Sequence, residues 1–234
     1  MKSIFFSILG SLFLNVITIA QAQSELERTY LTNIPFHQEV ISGGYYVDPP
    51  PNIEGNPYFK SKSFENGTIT INGLTYESVP LLYNIQKDQI ITFHPVHSQK
   101  ILLNSEKINA FILFTPEKSV FVQIENNDTY PHHNSGFYEL VKDGDAQLLC
   151  KHYKTTSAKK EVGKYSGYFT EDSDYLLKKN KQVIVVKKRK QAFEFLGLEK
   201  KELLKELKKN GIYFRGNPRA FLGFLTAYHN QQVP

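Results

Sequence analysis

Cysteine occurs once in the 234 residues, tryptophan not at all and methionine only at the start. One cysteine excludes a disulfide framework, and no Cys-x-x-Cys pair exists for a zinc ribbon or a redox couple. Gly-x-Ser-x-Gly and His-Glu-x-x-His are also missing, as are a strand-linked GxGxxG and a Gly-Lys-Ser/Thr loop. The common serine-hydrolase, zinc-protease, dinucleotide and phosphate-loop signatures therefore do not apply. No catalytic residue and no cofactor is indicated, and the chain offers no recognised enzyme motif. Beyond the first 22 residues nothing is apolar for about 18 residues, so no spanning helix is expected after the leader.

That leader carries the clearest message. Lys2 precedes an apolar stretch from Ile4 to Ala20, and Ala20-Gln21-Ala22 has the small-x-small form of a signal-peptidase site. Residues 1–22 are read as a secretory signal, which places the mature chain in the periplasm, at the outer membrane or outside the cell. Cys150, in the apolar patch Ala146–Cys150, then reads as a small core residue without a disulfide partner.

Residues 23–57 are rich in turn formers, with Ser42-Gly43-Gly44, Asp48-Pro49-Pro50-Pro51 and Gly55-Asn56-Pro57, and suit an irregular, extended lead-in. Residues 58–187 read as an antiparallel β domain. Asn72-Gly73 between Thr68–Ile71 and Leu74–Tyr76 is a strong hairpin signal, because both residues tolerate positive φ. Gln86-Lys87-Asp88, Lys142-Asp143-Gly144-Asp145 and Lys179-Asn180-Lys181 separate three further pairs of strand-length runs. Closely spaced hairpins imply antiparallel pairing, since parallel strands need long crossovers. The expected fold is α+β: a predominantly antiparallel β-meander, as a barrel or a sandwich, with a short C-terminal helical segment over 188–234. In that segment Gly197 stops a helix from Lys190, Gly211 caps one over 199–210, and Asn217-Pro218 opens a third.

Charge is unevenly distributed. Residues 23–150 hold 8 basic and 15 acidic side chains, residues 151–234 hold 19 and 8. The basic half could face the acidic half within the fold. Alternatively Lys187, Lys188, Arg189 and Lys190 form an anion-binding surface for anionic lipid or an envelope polysaccharide. Nucleic acid is not expected, because no aromatics interleave with the lysines and export removes the substrate.

Other polar groups offer weaker chemistry. His94, His97, His132 and His133 would make a metal site only if their two loops met. Glu171, Asp172 and Asp174 read as a solvated turn before the Tyr175 strand, since the glycine and closing glutamate of a calcium loop are missing. Asp143 and Asp145 read as turn formers. Glu77 and Glu139 would make a glycosidase-like carboxylate pair only if they were close in space.

The run Gly67-Thr68-Ile69-Thr70-Ile71-Asn72-Gly73-Leu74-Thr75-Tyr76, then Val79-Pro80-Leu81-Leu82-Tyr83-Asn84, followed later by Phe137–Gly144 and a lysine-rich tail, resembles uncharacterised exported proteins of Gram-negative bacteria. The resemblance implies a structural layout of turn glycines and strand aromatics, and no activity or site residue comes with it. Taken together, the expectation is an exported, non-enzymatic binding or accessory protein of the cell envelope, with another envelope protein as a further partner class; the alternatives are a peripheral membrane- or glycan-docking module using the C-terminal lysine face, and a hydrolase with an unrecognised site. Amino-terminal sequencing of the exported protein is expected to begin at Gln23; an exported chain that still starts at Met1 would contradict the signal reading.

Overall fold

The computed structural model describes residue 40 and residues 43–94, 99–114, 117–125, 130, 136–160 and 163–232. The leader, and with it His97, His132 and His133, lies outside them. The unit from Gly43 onward is described here. Its strands are β1 (Gly44–Tyr45), β2 (Ile53–Glu54), β3 (Glu65–Ile71), β4 (Leu74–Asn84), β5 (Gln89–Phe93), β6 (Lys100–Leu102), β7 (Ile108–Leu113), β8 (Ser119–Ile124), β9 (Gly136–Lys142), β10 (Ala146–Ala158), β11 (Gly167–Lys179) and β12 (Gln182–Val185). Three helices follow: α1 (Arg189–Leu196), α2 (Lys200–Lys209) and α3 (Pro218–Gln232). Among the described residues no helix is long and apolar enough to cross a membrane.

The fold is α+β, with the strands in one open, mostly antiparallel sheet. Its order is β1-β6-β5-β4-β3-β7-β8-β9-β10-β11-β12, and β2 adds a short parallel pairing to β11. Two runs of hairpins, β3–β6 and β7–β12, are joined where β7 returns to β3. Asn72 and Gly73 both adopt positive φ (52° and 81°), the twist that a two-residue bend needs to match the flanking strands. Strand β4 continues unbroken through Pro80, where the sequence suggests two separate runs. A bulge at Glu77-Ser78, with Ser78 at φ 56°, takes up the extra residue opposite Thr68.

The polar arms of the β10–β11 hairpin are the main departure from expectation. Both strands have 13 residues, and Glu171, Asp172 and Asp174 lie within β11 rather than in a solvated turn. The register gives one reason the polar sequence stays extended: Lys154 faces Glu171 across the ladder, and the two side chains meet at 3.1 Å. Opposite charges directly across a ladder stabilise pairing where apolar alternation is missing.

The sheet is strongly rolled. Tyr83 on β4 and Phe121 on β8 are three strand positions apart, about 14 Å in a flat sheet. Their ring centroids nevertheless lie 5.1 Å apart. Phe59, Phe111 and Phe137 complete this aromatic core, with Phe111 stacked on Phe121 at 4.6 Å. At its edge Lys151 of β10, wholly buried, meets Asp88 of the β4–β5 turn at 2.7 Å. The Lys151 ammonium also donates to the Phe137 carbonyl (2.9 Å) and sits 5.0 Å from the Tyr138 ring centroid. Asp88 accepts from the Tyr83 hydroxyl (2.5 Å) and the Phe137 N–H (3.1 Å). Burial pulls the Lys151 ammonium down from its ordinary value, and Asp88 opposes that pull. Gly136 makes room for the pair, because a Cβ there would collide with Asp88 Oδ2 and stand 3.0 Å from Lys151 Nζ.

The helices cover the β10–β11 region through a second core. Leu148 and Leu177 of the sheet pack with Phe193, Leu196, Leu203, Leu207, Phe221, Leu222 and Leu225. The helix ends are as expected. Gly197 and Gly211 take positive φ, Ile212 N–H donates to the Leu207 carbonyl, and the Asn217 side chain accepts from Ala220 N–H.

Removing one partner of a buried ion pair leaves an uncompensated charge and costs about 3–5 kcal/mol. Lys151→Ala is expected to lose that much, and Gly136→Ala to be clearly destabilised, in urea denaturation. Gly223→Ala, whose new Cβ would meet only Leu148 at 4.0 Å, is expected to be neutral or slightly stabilising.

Candidate functional site

Much of the charge imbalance resolves inside the fold. Lys151–Asp88, Lys159–Glu54, Lys179–Asp145 and Arg219–Glu139 each join the basic half to the acidic half. Asp145 therefore does more than form a turn: its carboxylate is also 3.1 Å from His229 on α3, which holds it below the usual range.

A dense basic run also lies on the surface. Lys187, Lys188, Arg189 and Lys190 lie together, exposed, at the start of α1. The chain turns into this helix because the Gln191 side-chain oxygen accepts from the backbone N–H groups of both Lys187 and Lys188. Lys187 is held by Asp174, and Lys190 pairs with Glu194 at 3.3 Å. Among the described residues, Lys188 and Arg189 have no acidic partner within ion-pair distance, nor do Lys208 of α2 and Arg215 of the loop before α3.

These cations rim a cavity of about 720 Å³ between α1, α2 and the 212–215 segment. Its floor is apolar, formed by Leu204, Leu207, Ile212, Phe214 and Phe221. Exposed Tyr213 stands at its side. A helix N-terminus carries partial positive charge and favours anions. Four basic residues there, with no acid in the first turn, raise the positive potential further. The arrangement suits a ligand with an anionic head and an apolar body.

A second polar cluster lies where α3 meets the sheet. Phe111, Phe121, Glu139, Cys150 and Tyr175 are directly opposed across β7 to β11, so their side chains share one face. His152, two residues beyond Cys150, joins them, with its ring 4.8 Å from that of Phe59. Arg219, in the first turn of α3, donates two parallel hydrogen bonds to Glu139, at 2.7 and 2.8 Å. His152 Nε2 is 2.8 Å from Glu139 Oε2. Burial alone would raise the Glu139 carboxyl, but the Arg219 and His152 hydrogen bonds outweigh it and bring the group down to about 2. The Cys150 thiol is pushed up to about 12 by burial, with the Glu139 charge adding to the effect. It is a protonated thiol rather than a ready nucleophile.

Of the sequence candidates, the Lys187–Lys190 group is brought together. His94 directly follows β5, and its N–H donates to the Gln99 carbonyl at 2.7 Å. The other three histidines, His97, His132 and His133, lie outside the described residues. Glu139 binds Arg219 and His152, while Glu77 is exposed on the β4 bulge, so they form no carboxylate pair. The Glu139–Cys150–His152–Arg219 cluster was not visible in the sequence. Its one local sign is the i, i+2 spacing of Cys150 and His152, which puts both on one strand face.

No protein-family model, curated protein or solved structure matches this chain.

Glu139 has a folded-state pKa below its ordinary value, so the stability it contributes is present above about 4.5 and is lost as pH falls toward about 2. Allowing for the half-exposed guanidinium, about 2 kcal/mol is expected to disappear across that window. Chemical denaturation as a function of pH, in chelator-treated buffer, is expected to show this loss in the wild type. The loss should be much reduced in Glu139→Gln.

Proposed function

We propose that this protein is a non-enzymatic binding component of the bacterial cell envelope, exported by its leader, that docks on anionic lipid through the C-terminal cavity. One observation carries the reading: unmatched cations ring a cavity whose floor is hydrocarbon and aromatic. An envelope polysaccharide would match the charge but would leave Leu204, Ile212 and Phe214 without an apolar partner. A lipid satisfies both, with its headgroup at the start of α1 and its chain on the α2–α3 floor. The volume lies within the range of small-molecule sites. The rolled sheet is read as the barrel of the two architectures expected from sequence, because rings on β4, β8 and β9 meet across it. In this reading the sheet serves as a rigid scaffold for the helical layer.

Each lysine or arginine near an anionic membrane contributes about 1 kcal/mol, so reversing three should lower affinity by 100-fold or more. The test is sedimentation of the purified mature chain with phosphatidylglycerol vesicles. Binding is expected to weaken with added salt and to fall that far in Lys188→Glu/Arg189→Glu/Lys208→Glu, which leaves the Lys187–Asp174 pair intact. Leu204→Ser is expected to weaken vesicle binding as well. Equal binding to neutral phosphatidylcholine vesicles, or no binding at all, would overturn the reading. Retention on anionic polysaccharide that ignores Leu204→Ser would move it to the glycan.

A further inference from the structure

The cluster under α3 brings together three different metal-binding side chains. One ligand atom each from Glu139, Cys150 and His152 lies within 4.8 Å of the others. We propose that these three residues form a zinc site. Glu139 and Cys150 are directly opposed on neighbouring strands and His152 follows on the same face, so the sheet ladder itself holds the ligands at a set spacing. Zinc bonds of about 2.0–2.3 Å at tetrahedral angles place ligand atoms roughly 3.3–3.7 Å apart. His152 Nε2 and Glu139 Oε2 already stand 2.8 Å apart, and no pair in the set exceeds 4.8 Å.

The donor set is selective. A thiolate, an imidazole and a carboxylate together favour zinc over magnesium or calcium, which take oxygen ligands. Three protein ligands leave a fourth position for water or another small ligand, as in open zinc sites.

The surroundings supply outer contacts of the kind that steady metal ligands. Arg219 holds Glu139 through both oxygens, and Tyr175 and Ser173 directly face Cys150 and His152 across the β10–β11 ladder. The His152–Glu139 hydrogen bond marks the place the ion would take. Zinc takes the place of that hydrogen bond: the neutral imidazole binds through Nε2 with its one proton on Nδ1, any second imidazole proton leaves to solvent, and Arg219 stays on the carboxylate. Cys150 gives up its thiol proton to solvent as the zinc–sulfur bond forms, so affinity rises with pH.

The chain has one cysteine, which makes the test unusually direct. The chelator-stripped protein is titrated with Co(II) as a spectroscopic stand-in for zinc. One equivalent is expected to produce a near-ultraviolet thiolate-to-cobalt charge-transfer band, and one equivalent of Zn(II) to abolish it. Cys150→Ser should lose the band and His152→Gln should weaken binding at least tenfold, with folding checked by circular dichroism. Should these variants not fold, X-ray absorption of the zinc-loaded wild type is expected to show one sulfur among the metal's ligands. Absence of the thiolate band in the wild type, or a zinc shell without sulfur, overturns the proposal. Either result would place any bound metal away from Cys150. Vesicle binding is independent of this outcome.

Discussion

A lysine ammonium sealed from water against a single carboxylate is the contact on which the rest of this architecture turns. Lys151 lies on β10 and Asp88 in the turn after β4, strands five positions apart in the sheet order and about 24 Å in a flat sheet, yet the two side chains touch. Charges are costly to bury unless they are matched and hydrogen-bonded. Here Tyr83, the Phe137 N–H and the Phe137 carbonyl satisfy the remaining hydrogen-bonding positions. The pair therefore rewards only the rolled arrangement, because an unrolled sheet or a slipped register would leave a buried charge alone. Gly136 is the steric condition for it, and the aromatic core supplies the apolar driving force that the ion pair directs.

Once the roll is set, β10 and β11 present one face to the helices, and two sites of opposite character follow. Near the middle of the strands, Arg219 pins α3 to Glu139, and the same face gathers Cys150 and His152. At the far end, α1 and α2 lean over the sheet with basic residues crowded at a helix N-terminus, where the backbone already favours negative charge. The first cluster has its charges matched inside the protein. In the second, several cations face solvent beside apolar surface. Inward matching gives a rigid joint, and outward mismatch gives a surface that gains by meeting an anion.

Local signals were legible wherever short-range chemistry decides conformation. Asn72-Gly73, Gly197, Gly211 and Asn217-Pro218 each specify a backbone state that few other residues support, and each is found in that state. The Lys187–Arg189 run was legible as a concentration of charge, but its apolar floor was not. Leu204, Ile212 and Phe221 meet only when three helices fold back on one another. The β10–β11 arms were misread because their strands lack apolar alternation, and the Lys154–Glu171 pair that spans them joins residues 17 positions apart. Cys150 was correctly taken as buried, and nothing in its neighbours along the chain announced Glu139 or Arg219.

By itself the sequence determined the hairpin bends, the helix stops and the excess of positive charge in its second half, because these depend on residues within a few positions of one another. Tertiary structure alone decided which charges are cancelled and which remain. Coulombic pairing and burial depend on distance in space, and the contacts that matter here join residues 63 positions apart in Lys151–Asp88 and 80 in Arg219–Glu139. Rolling of the sheet brings the first pair together, and the docking of α3 on the sheet brings the second.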